Sequence, residues 1–195
     1  MILGLGGAVG SVAFMVGLGA WRTRDIVPTD PRLPLPVTAM DWSLTDHRGA
    51  TVTPANWIGR PVMAFFGFTF CPDVCPTTLN DISDWLEALG TEVERLTVVL
   101  ISVDPERDRR LGIDAFTQAF HPAILGLAGD EATTRAAADS FKIFYEREAD
   151  AKAPDGYAMA HSPALYLIGP DGDWLRQFPF GTPAAEILAD LKARL

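Results

Sequence analysis

The sequence predicts an α/β domain in which a central mixed sheet is flanked by helices. Two apolar runs, Pro61–Phe70 and Leu96–Val103, have the length and continuity of strands that are buried on both faces. Each run is followed by a segment with apolar residues at helical spacing, Thr77–Leu89 and Arg109–Phe120. This alternation of strand and helix is typical of a sheet that helices cover.

An apolar segment opens the chain, and it has the length of a membrane span. The residues from Ile2 to Ala20 carry no charge, and about 19 residues in a helix cover roughly 28 Å of hydrocarbon. We therefore predict a transmembrane anchor over residues 1–20. Signal cleavage is the alternative, because Gly17 and Gly19 have the small side chains that a signal peptidase site needs.

A proline-rich spacer is predicted over residues 21–37. Its stretch DIVPTDPRLPLP contains four prolines, which block regular helix and sheet. Arg22 and Arg24 follow the anchor, and on their own they favour a cytoplasmic body. The cysteine chemistry described below favours the extracytoplasmic, periplasmic side instead, with the body either anchored or exported after cleavage. One folded domain is expected over residues 38–195.

The remaining elements complete the predicted fold. Alternating apolar and polar residues over Met40–Thr53 predict a short β-hairpin. The later elements are a strand over Ala123–Leu127, a helix from Glu131 to about Tyr145, strands over Ala164–Ile168 and Trp174–Phe180, and a helix over Pro183–Leu195. Alternation that closes with a hairpin and a helix is the thioredoxin order. The prediction is a thioredoxin-like fold preceded by the N-terminal hairpin and one transmembrane helix.

The composition excludes some classes of protein. Hydrophobic residues make up 48% of the chain and charged residues 21%, which is the balance of a globular domain. The formal net charge is −9 at pH 7, so the chain lacks the basic face that phosphate binding needs. We therefore expect no nucleic acid partner.

The two cysteines of the chain lie four positions apart, in the motif CPDVC. A single bridge between Cys71 and Cys75 would close a very small loop and add little stability, so the pair calls for a chemical explanation. The motif follows a buried strand and precedes a helix, where unpaired N–H groups and the helix dipole favour thiolates. Two sulfurs at this spacing can share one soft metal ion, Cu(I) or Zn(II), or can form a disulfide.

A third ligand is then needed, and the sequence has three histidines. His47 lies in the predicted hairpin turn, and His121 lies within AFHPAILGL. His161 precedes a predicted central strand, so we expect it at the sheet edge where the motif loop emerges. A lone histidine more often has a structural role, so the residues alone leave the function of His161 open.

Two carboxylates near the motif are further candidates. Asp73 lies inside CPDVC, where it could tune the sulfurs or cap the following helix, and we favour capping. Asp104 ends the second buried strand in SVDPERD, where it could orient metal ligands or serve as a turn residue before Pro105.

Four segments together resemble the Sco/SenC family of copper proteins, which are linked to cytochrome oxidase assembly. They are GFTFCPDVCPTTL, SVDPERD, AFHPAILGL and AHSPALYLIGPDG, and the similarity covers about residues 38–195. The resemblance implies a thioredoxin fold anchored by one N-terminal helix, with copper, as Cu(I), Cu(II) or both, bound by Cys71, Cys75 and His161. It also implies delivery of copper to the CuA site of cytochrome c oxidase, or reduction of the cysteines of that site. The implied partners are the CuA-bearing subunit and a further copper chaperone as donor.

The chain departs from the family pattern at two positions. The family usually has His immediately before the first motif cysteine, where this chain has Phe70. It often has Asp immediately before the ligand histidine, where this chain has Ala160. Neither change removes a primary ligand, but both leave the identity of the client protein undecided.

Two enzyme classes compete with a copper chaperone. In a thiol–disulfide reductase, Cys71 and Cys75 would be the catalytic pair and would cycle between dithiol and disulfide. In that case His161 needs no metal role. A peroxide-reducing relative of the same fold would need a solitary reactive cysteine, which CPDVC does not supply.

Overall fold

The computed structural model describes residues 33–46, 48–153 and 155–195. Within these ranges the chain forms nine strands and five α-helices. The strands are β1 (Leu44–Asp46), β2 (Thr51–Val52), β3 (Val62–Gly67), β4 (Thr97–Ser102), β5 (Ile124–Ala128), β6 (Tyr145–Ala149), β7 (Tyr157–His161), β8 (Leu165–Ile168) and β9 (Trp174–Phe178). The helices are α1 (Val74–Leu89), α2 (Pro105–Leu111), α3 (Ile113–Gln118), α4 (Glu131–Phe141) and α5 (Ala184–Lys192).

Seven strands form the mixed sheet that the sequence predicts, in the order β2-β1-β5-β4-β3-β8-β9. Strands β3, β4 and β5 are parallel, and β8 runs antiparallel to β3. The register pairs Val62 with Thr97 and Gly67 with Ser102, so β3 and β4 end at the same level. The segments that follow these strands therefore emerge together at one edge of the sheet, where open α/β sheets place their sites.

The core is built from the two apolar runs that predicted buried strands. Every residue of β3 is buried, and α1 packs its face of Leu79, Ile82 and Leu86 inward. Burial of one such leucine or isoleucine side chain stabilises the fold by about 1.5–3 kcal/mol. Helix α1, which follows the motif loop, is thereby fixed against the sheet from which that loop emerges.

The predicted N-terminal hairpin is confirmed, although its strands are shorter than the predicted range. Leu44 of β1 lies opposite Val52 of β2, and Thr45 lies opposite Ala128 of β5, so the hairpin also extends the main sheet. The carboxylate of Asp46 accepts the N–H groups of the turn that follows it. His47, expected in this turn, lies outside the described residues.

The prediction of one helix over Arg109–Phe120 is wrong. The segment contains the end of α2 and the whole of α3, and Gly112 separates them with φ of +81°. A residue in the left-handed region ends an α-helix, and glycine adopts it without steric cost. The helical spacing of apolar residues continues across the break, which is why the pattern did not reveal it.

A second sheet, formed by β6 and β7, was missed. The predicted helix from Glu131 to about Tyr145 ends at Phe141, because Lys142 takes φ of +58°. Tyr145 instead begins β6 and pairs with His161 at the end of β7. The residues of β6 after Tyr145 are exposed, and all but the last, Ala149, are charged, so they lack the alternation that predicts a strand.

The predicted anchor, residues 1–20, and the first part of the predicted spacer lie outside the described residues. At the end of that spacer, the N–H of Leu35 donates to the carbonyl of Ser140, and Val37 is buried. None of the helices in the described part of the chain has the length and hydropathy that a bilayer span requires.

Candidate metal centre

The motif loop leaves β3 at Gly67 and enters α1 at Val74. Cys75 is the second residue of the helix, and its side chain is completely buried. A Cβ atom on Gly67 would lie only 3.0 Å from the Cys75 sulfur. Glycine in a strand interior often marks such a close approach. Gly67 therefore makes the space that the sulfur of Cys75 occupies.

The sulfur of Cys71 acts as the cap of helix α1. It accepts a hydrogen bond from the N–H of Cys75 at a distance of 3.3 Å. The first N–H groups of a helix lack partners within it and form the positive end of its dipole, so they stabilise a negative sulfur. Asp73 occupies the N-cap position, but its side chain makes no capping bond to the helix. The capping role that the sequence suggested for Asp73 is thus taken by Cys71.

His161 is the last residue of β7, and its ring points at the motif. Its Nε2 lies 3.6 Å from the sulfur of Cys75, and its Nδ1 lies 3.2 Å from the carbonyl oxygen of Ser162. A carbonyl only accepts, so Nδ1 carries the hydrogen and Nε2 of the neutral ring keeps a lone pair. That lone pair faces the sulfurs, which is the orientation a metal-binding imidazole needs.

The structure brings together the three residues that the resemblance named as ligands. The sulfurs of Cys71 and Cys75 and a ring nitrogen of His161 all lie within 4.8 Å of one another. Atoms bound to one ion at roughly 2.0–2.3 Å lie roughly 3–4.5 Å apart, so little movement is needed to hold an ion between them. The donor set of two sulfurs and one imidazole suits copper or zinc and does not suit calcium or magnesium.

The two cysteines differ strongly in acidity. A hydrogen bond from the Cys75 thiol lowers the pKa of Cys71 to about 4, with help from the N–H groups of Cys75 and Asp73. The same sulfur–sulfur contact and burial raise the pKa of Cys75 far above the ordinary cysteine value. At neutral pH the metal-free pair therefore shares one proton, which resides on Cys75.

A groove of about 680 Å³ opens onto the half-buried Cys71 and onto His161. Its walls come from the motif loop and from β7 and the segment before it, and most of them are apolar. The lining includes Phe68, Phe70, Pro72, Val74, Ala153, Ala158, Met159, Ala160 and Pro163. One side of the candidate site is therefore accessible, while Cys75 closes the other side.

The carboxylates of Asp73 and Asp104 are not hydrogen-bonded to any of the three candidate ligands. The Asp73 side chain is exposed and lies 3.5 Å from the hydroxyl of Thr77. The buried Asp104 accepts a hydrogen bond from the hydroxyl of Tyr157 at 2.9 Å and pairs with Arg107.

The acidic residue that holds the motif loop is Asp108, which the sequence did not single out. Its buried carboxylate accepts both the N–H and the hydroxyl of Thr69, at 2.9 and 2.7 Å. Its second oxygen accepts the hydroxyl of Ser102 at 2.6 Å. Thr69 lies two residues before Cys71, so Asp108 ties the start of the loop to the end of β4. The feature of the sequence that could have pointed to Asp108 was its position within SVDPERD.

His121 lies apart from this cluster, as expected. Its Nδ1 accepts the N–H of Ala123 at 3.1 Å, which is the local hydrogen bonding that a structural histidine makes. Of the two departures from the family pattern, Phe70 is 40% exposed and contacts Arg107, while Ala160 lies in β7 opposite Glu146.

Three features define a class of protein. They are the mixed sheet, the cysteine pair at the start of helix α1 and the histidine at the same edge of the sheet. That class is a thioredoxin-like protein with a Cys2His centre suited to a soft metal ion. The chain belongs to the SCO1/SenC family, whose model matches residues 32–195.

Individual relatives agree with this assignment. A SCO2-like protein of Rickettsia felis is 34% identical over 152 residues, which are 78% of this chain and 74% of the relative. The structure of Bradyrhizobium japonicum ScoI with copper bound is 37% identical, with a TM-score of 0.72, and the match covers 79% of this chain and 97% of ScoI.

A third relative connects the fold with oxidase assembly. It is BsSco, described as having a disulfide switch and as a member of the Sco family of cytochrome c oxidase assembly proteins. It is 26% identical, with a TM-score of 0.64, and the match covers 84% of this chain and 95% of BsSco.

Proposed function

We propose that this chain binds copper through Cys71, Cys75 and His161 and delivers it during assembly of cytochrome c oxidase. The observation that carries the proposal is the convergence of the three donor atoms within 4.8 Å, although His161 follows Cys75 by 86 residues. The copper-bound structure of Bradyrhizobium japonicum ScoI supports the choice of metal. Soft thiolates and an imidazole are the donors that Cu(I) prefers.

The geometry supports binding that is tight and yet transferable. Cys75 reaches the ion from the protein interior, while Cys71 and His161 lie at the accessible groove. Three protein ligands leave Cu(I) open to a fourth. A thiolate of a partner protein can therefore bind the copper first, after which the bonds to this chain break one at a time.

The client we propose is the subunit of the oxidase that carries the CuA site. BsSco, to which this chain is similar, belongs to a family described by its role in oxidase assembly. We further propose that residues 1–20 tether the domain on the extracytoplasmic side, and that another copper chaperone loads it. Both ideas rest on the family resemblance and on the apolar character of the first residues.

Copper titration of the reduced chain tests the binding step. We expect one Cu(I) per chain, and a loss of at least about tenfold in affinity for Cys75→Ser and for His161→Ala. His121→Ala is the matched control, because His121 contacts Ala123 and Glu87 and lies away from the three ligands, and it should bind as the parent does. If Cys75→Ser and His161→Ala both bind copper as tightly as the parent, the site assignment fails.

Transfer to a metal-free CuA domain tests the delivery step. The Cu(I)-loaded chain should lose its metal to a CuA domain whose cysteines are reduced. The visible spectrum of the mixed-valence CuA site should then appear when an added one-electron oxidant removes one electron from the two Cu(I) ions of the acceptor. A loaded chain that keeps its copper in the presence of this acceptor contradicts the delivery role.

The acidity of Cys71 favours a second candidate function, that of a thiol–disulfide reductase. A half-buried cysteine with a pKa of about 4 is a thiolate at neutral pH and can attack a disulfide of the oxidase. Cys75 would then attack the Cys71 sulfur of the mixed disulfide and form a Cys71–Cys75 disulfide, while its proton passes to the partner's sulfur, which leaves as the reduced thiol. Reduction of an oxidised CuA peptide that proceeds without copper, and equally well in His161→Ala, would favour this function over delivery.

A further inference from the structure

Arg107 in α2 is a charged side chain that the proposed copper chemistry does not use. It is 1% exposed, and its guanidinium lies between two parts of the candidate site. Its carbon Cζ lies 3.9 Å from the ring centroid of Tyr157 and 5.0 Å from the ring centroid of Phe70. Such distances are typical of cation–π contacts.

The two rings belong to the two segments that carry the candidate ligands. Phe70 immediately precedes Cys71 in the motif loop. Tyr157 begins β7, the strand that ends at His161. Arg107 therefore contacts the neighbour of one ligand and the strand of another.

Polar contacts fix the guanidinium in this position. Its Nη2 donates to the carbonyl of Tyr157 at 3.0 Å, so Arg107 holds the backbone of β7 as well as the ring. Its Nε lies 3.3 Å from a carboxylate oxygen of Asp104 and 3.1 Å from one of Asp155. The paired carboxylates balance the buried charge, which would otherwise be costly.

The strand of His161 needs such an attachment because β7 pairs with β6 in a two-stranded sheet separate from the main sheet. A hairpin of two strands is marginally stable by itself. Side-chain contacts of the hairpin with the body, together with the short connection from His161 to β8, therefore determine where His161 lies relative to the cysteines. On the other strand, Tyr145 packs against Arg135 and donates to Glu131.

We propose that Arg107 is a positioning residue that couples the loop of Cys71 to the strand of His161 and thereby determines the affinity for copper. The inference deepens the proposed function and rests on it. Phe70 takes part in this coupling through its ring, which gives the exposed aromatic side chain before the first cysteine a defined role.

Substitution of the two rings tests the coupling without removing the buried charge. Phe70→Leu and Tyr157→Leu each abolish one contact to Arg107 while leaving all three ligands in place. We expect each to weaken Cu(I) binding about tenfold, measured on the reduced full chain by competition with a chromophoric chelator. If both rings act through Arg107, the affinity of the double variant for Cu(I) should be no lower than that of the single variant with the lower affinity.

Arg147→Gln is the matched control. The guanidinium of Arg147 lies 4.0 Å from the ring centroid of Tyr157, but its own ion pair is to Glu106 on the exposed surface. Its loss removes a cation from the same ring without touching the motif loop, so copper affinity should stay within about twofold of the parent. Arg107→Lys keeps the charge but loses the planar donor fork, and it should resemble the ring variants.

Hydrogen exchange of the metal-free chain supplies a readout independent of copper. Tyr157→Leu should accelerate exchange in the motif loop, although the substitution lies in another element, and Arg147→Gln should not. Parent-like affinity and exchange in both ring variants, or additive losses in the double variant, would overturn the coupling. A parent chain that binds no copper would instead defeat the proposed function, while the exchange measurement would still decide the coupling.

Discussion

The sulfur of Cys71 lies 3.3 Å from the backbone nitrogen of Cys75 and accepts its hydrogen at the first turn of helix α1. The Cys75 thiol and the N–H groups at the helix start together stabilise a thiolate on Cys71, while Cys75 retains its proton in the interior. The pair is chemically asymmetric before any metal binds.

This asymmetry predicts selective alkylation of the metal-free chain. At about pH 6, iodoacetamide should modify Cys71 and leave Cys75 unmodified, since only Cys71 is an accessible thiolate. Because the pKa of Cys71 is lowered to about 4, the rate should stay constant down to about pH 5 and then fall with further acidification. Mass spectrometry of the modified peptides measures both effects.

Removal of the Cys75 thiol should change this pH profile. In Cys75→Ala the main hydrogen-bond donor to Cys71 is gone, so the pKa of Cys71 should rise and the rate should fall at a higher pH. In the denatured chain both cysteines should react alike, with an onset near about pH 8.5. A folded chain in which Cys71 also requires such a high pH would contradict the assignment.

The sequence predicted where the two cysteines lie because their geometry is local. It is fixed by a strand, a loop and a helix that follow one another without a gap. His161 required more, since its approach to Cys75 depends on a hairpin that the pattern did not show. The polar residues of β6 hid that hairpin, and Lys142 ends α4 in a conformation more usual for glycine. The cysteine pair and the place of His161 at the same sheet edge could be predicted from the chain, but the role of His161 as a ligand came from the family resemblance.

The supporting residues could not be predicted for a different physical reason. Gly67, Asp108 and Arg107 matter through which neighbours they meet across the sheet edge, and sequence spacing does not encode such contacts. The segment SVDPERD has the composition of an exposed helix start, so it does not reveal that its arginine and its last aspartate are buried. Only packing against the motif loop distinguishes them.

Gly67→Ala should weaken copper binding by steric displacement. The added Cβ would lie 3.0 Å from the Cys75 sulfur, so the sulfur must shift from its present place to make room. We expect copper affinity to fall roughly tenfold, the scale typical of changes beside a metal ligand. Overpacking should also lower the free energy of unfolding by about 1–3 kcal/mol. Chelator competition and urea denaturation measure the two effects.

Gly126→Ala is the matched control for this steric change. Gly126 lies in β5, and its added Cβ would lie 3.0 Å from the carbonyl oxygen of Ile113 instead of a ligand. The control should lose a similar amount of stability and keep the parent affinity for copper. Equal losses of affinity in both variants would show that the effect of Gly67→Ala is general.

Gly112→Ala should destabilise the chain and leave the metal centre intact. Gly112 separates α2 from α3 with φ of +81°, where a Cβ atom is strained. We expect a loss of about 1–2 kcal/mol in the free energy of unfolding, with unchanged copper affinity. Leu111→Ala, at the neighbouring exposed position, should have little effect on either. A Gly112→Ala chain as stable as the parent would mean that one continuous helix is accessible.

Asp108 should make the stability of the metal-free chain depend on pH in a defined direction. Burial raises the pKa of this carboxyl, and hydrogen bonds from Ser102 and Thr69 only partly oppose the effect. The folded state therefore holds the proton more tightly than the unfolded state. Stability falls as the pH rises from the unfolded pKa of about 4 through the raised pKa of the folded chain. Relative to Asp108→Asn, which does not titrate, the parent should lose free energy of unfolding across this interval.

Ser102→Ala provides the internal check on this prediction, since Ser102 donates to Asp108 at 2.6 Å and helps to stabilise its charge. Without that donor the pKa of Asp108 should rise further, and the decline in stability should extend to higher pH. Asp108→Ala should be destabilised by about 2–4 kcal/mol near about pH 4, because the buried donors of Thr69 and Ser102 lose their acceptor, and this difference from the parent should shrink as the pH rises. Urea denaturation across about pH 4 to 8 distinguishes these outcomes. A difference between parent and Asp108→Asn that stays constant with pH would show that Asp108 does not titrate in this interval.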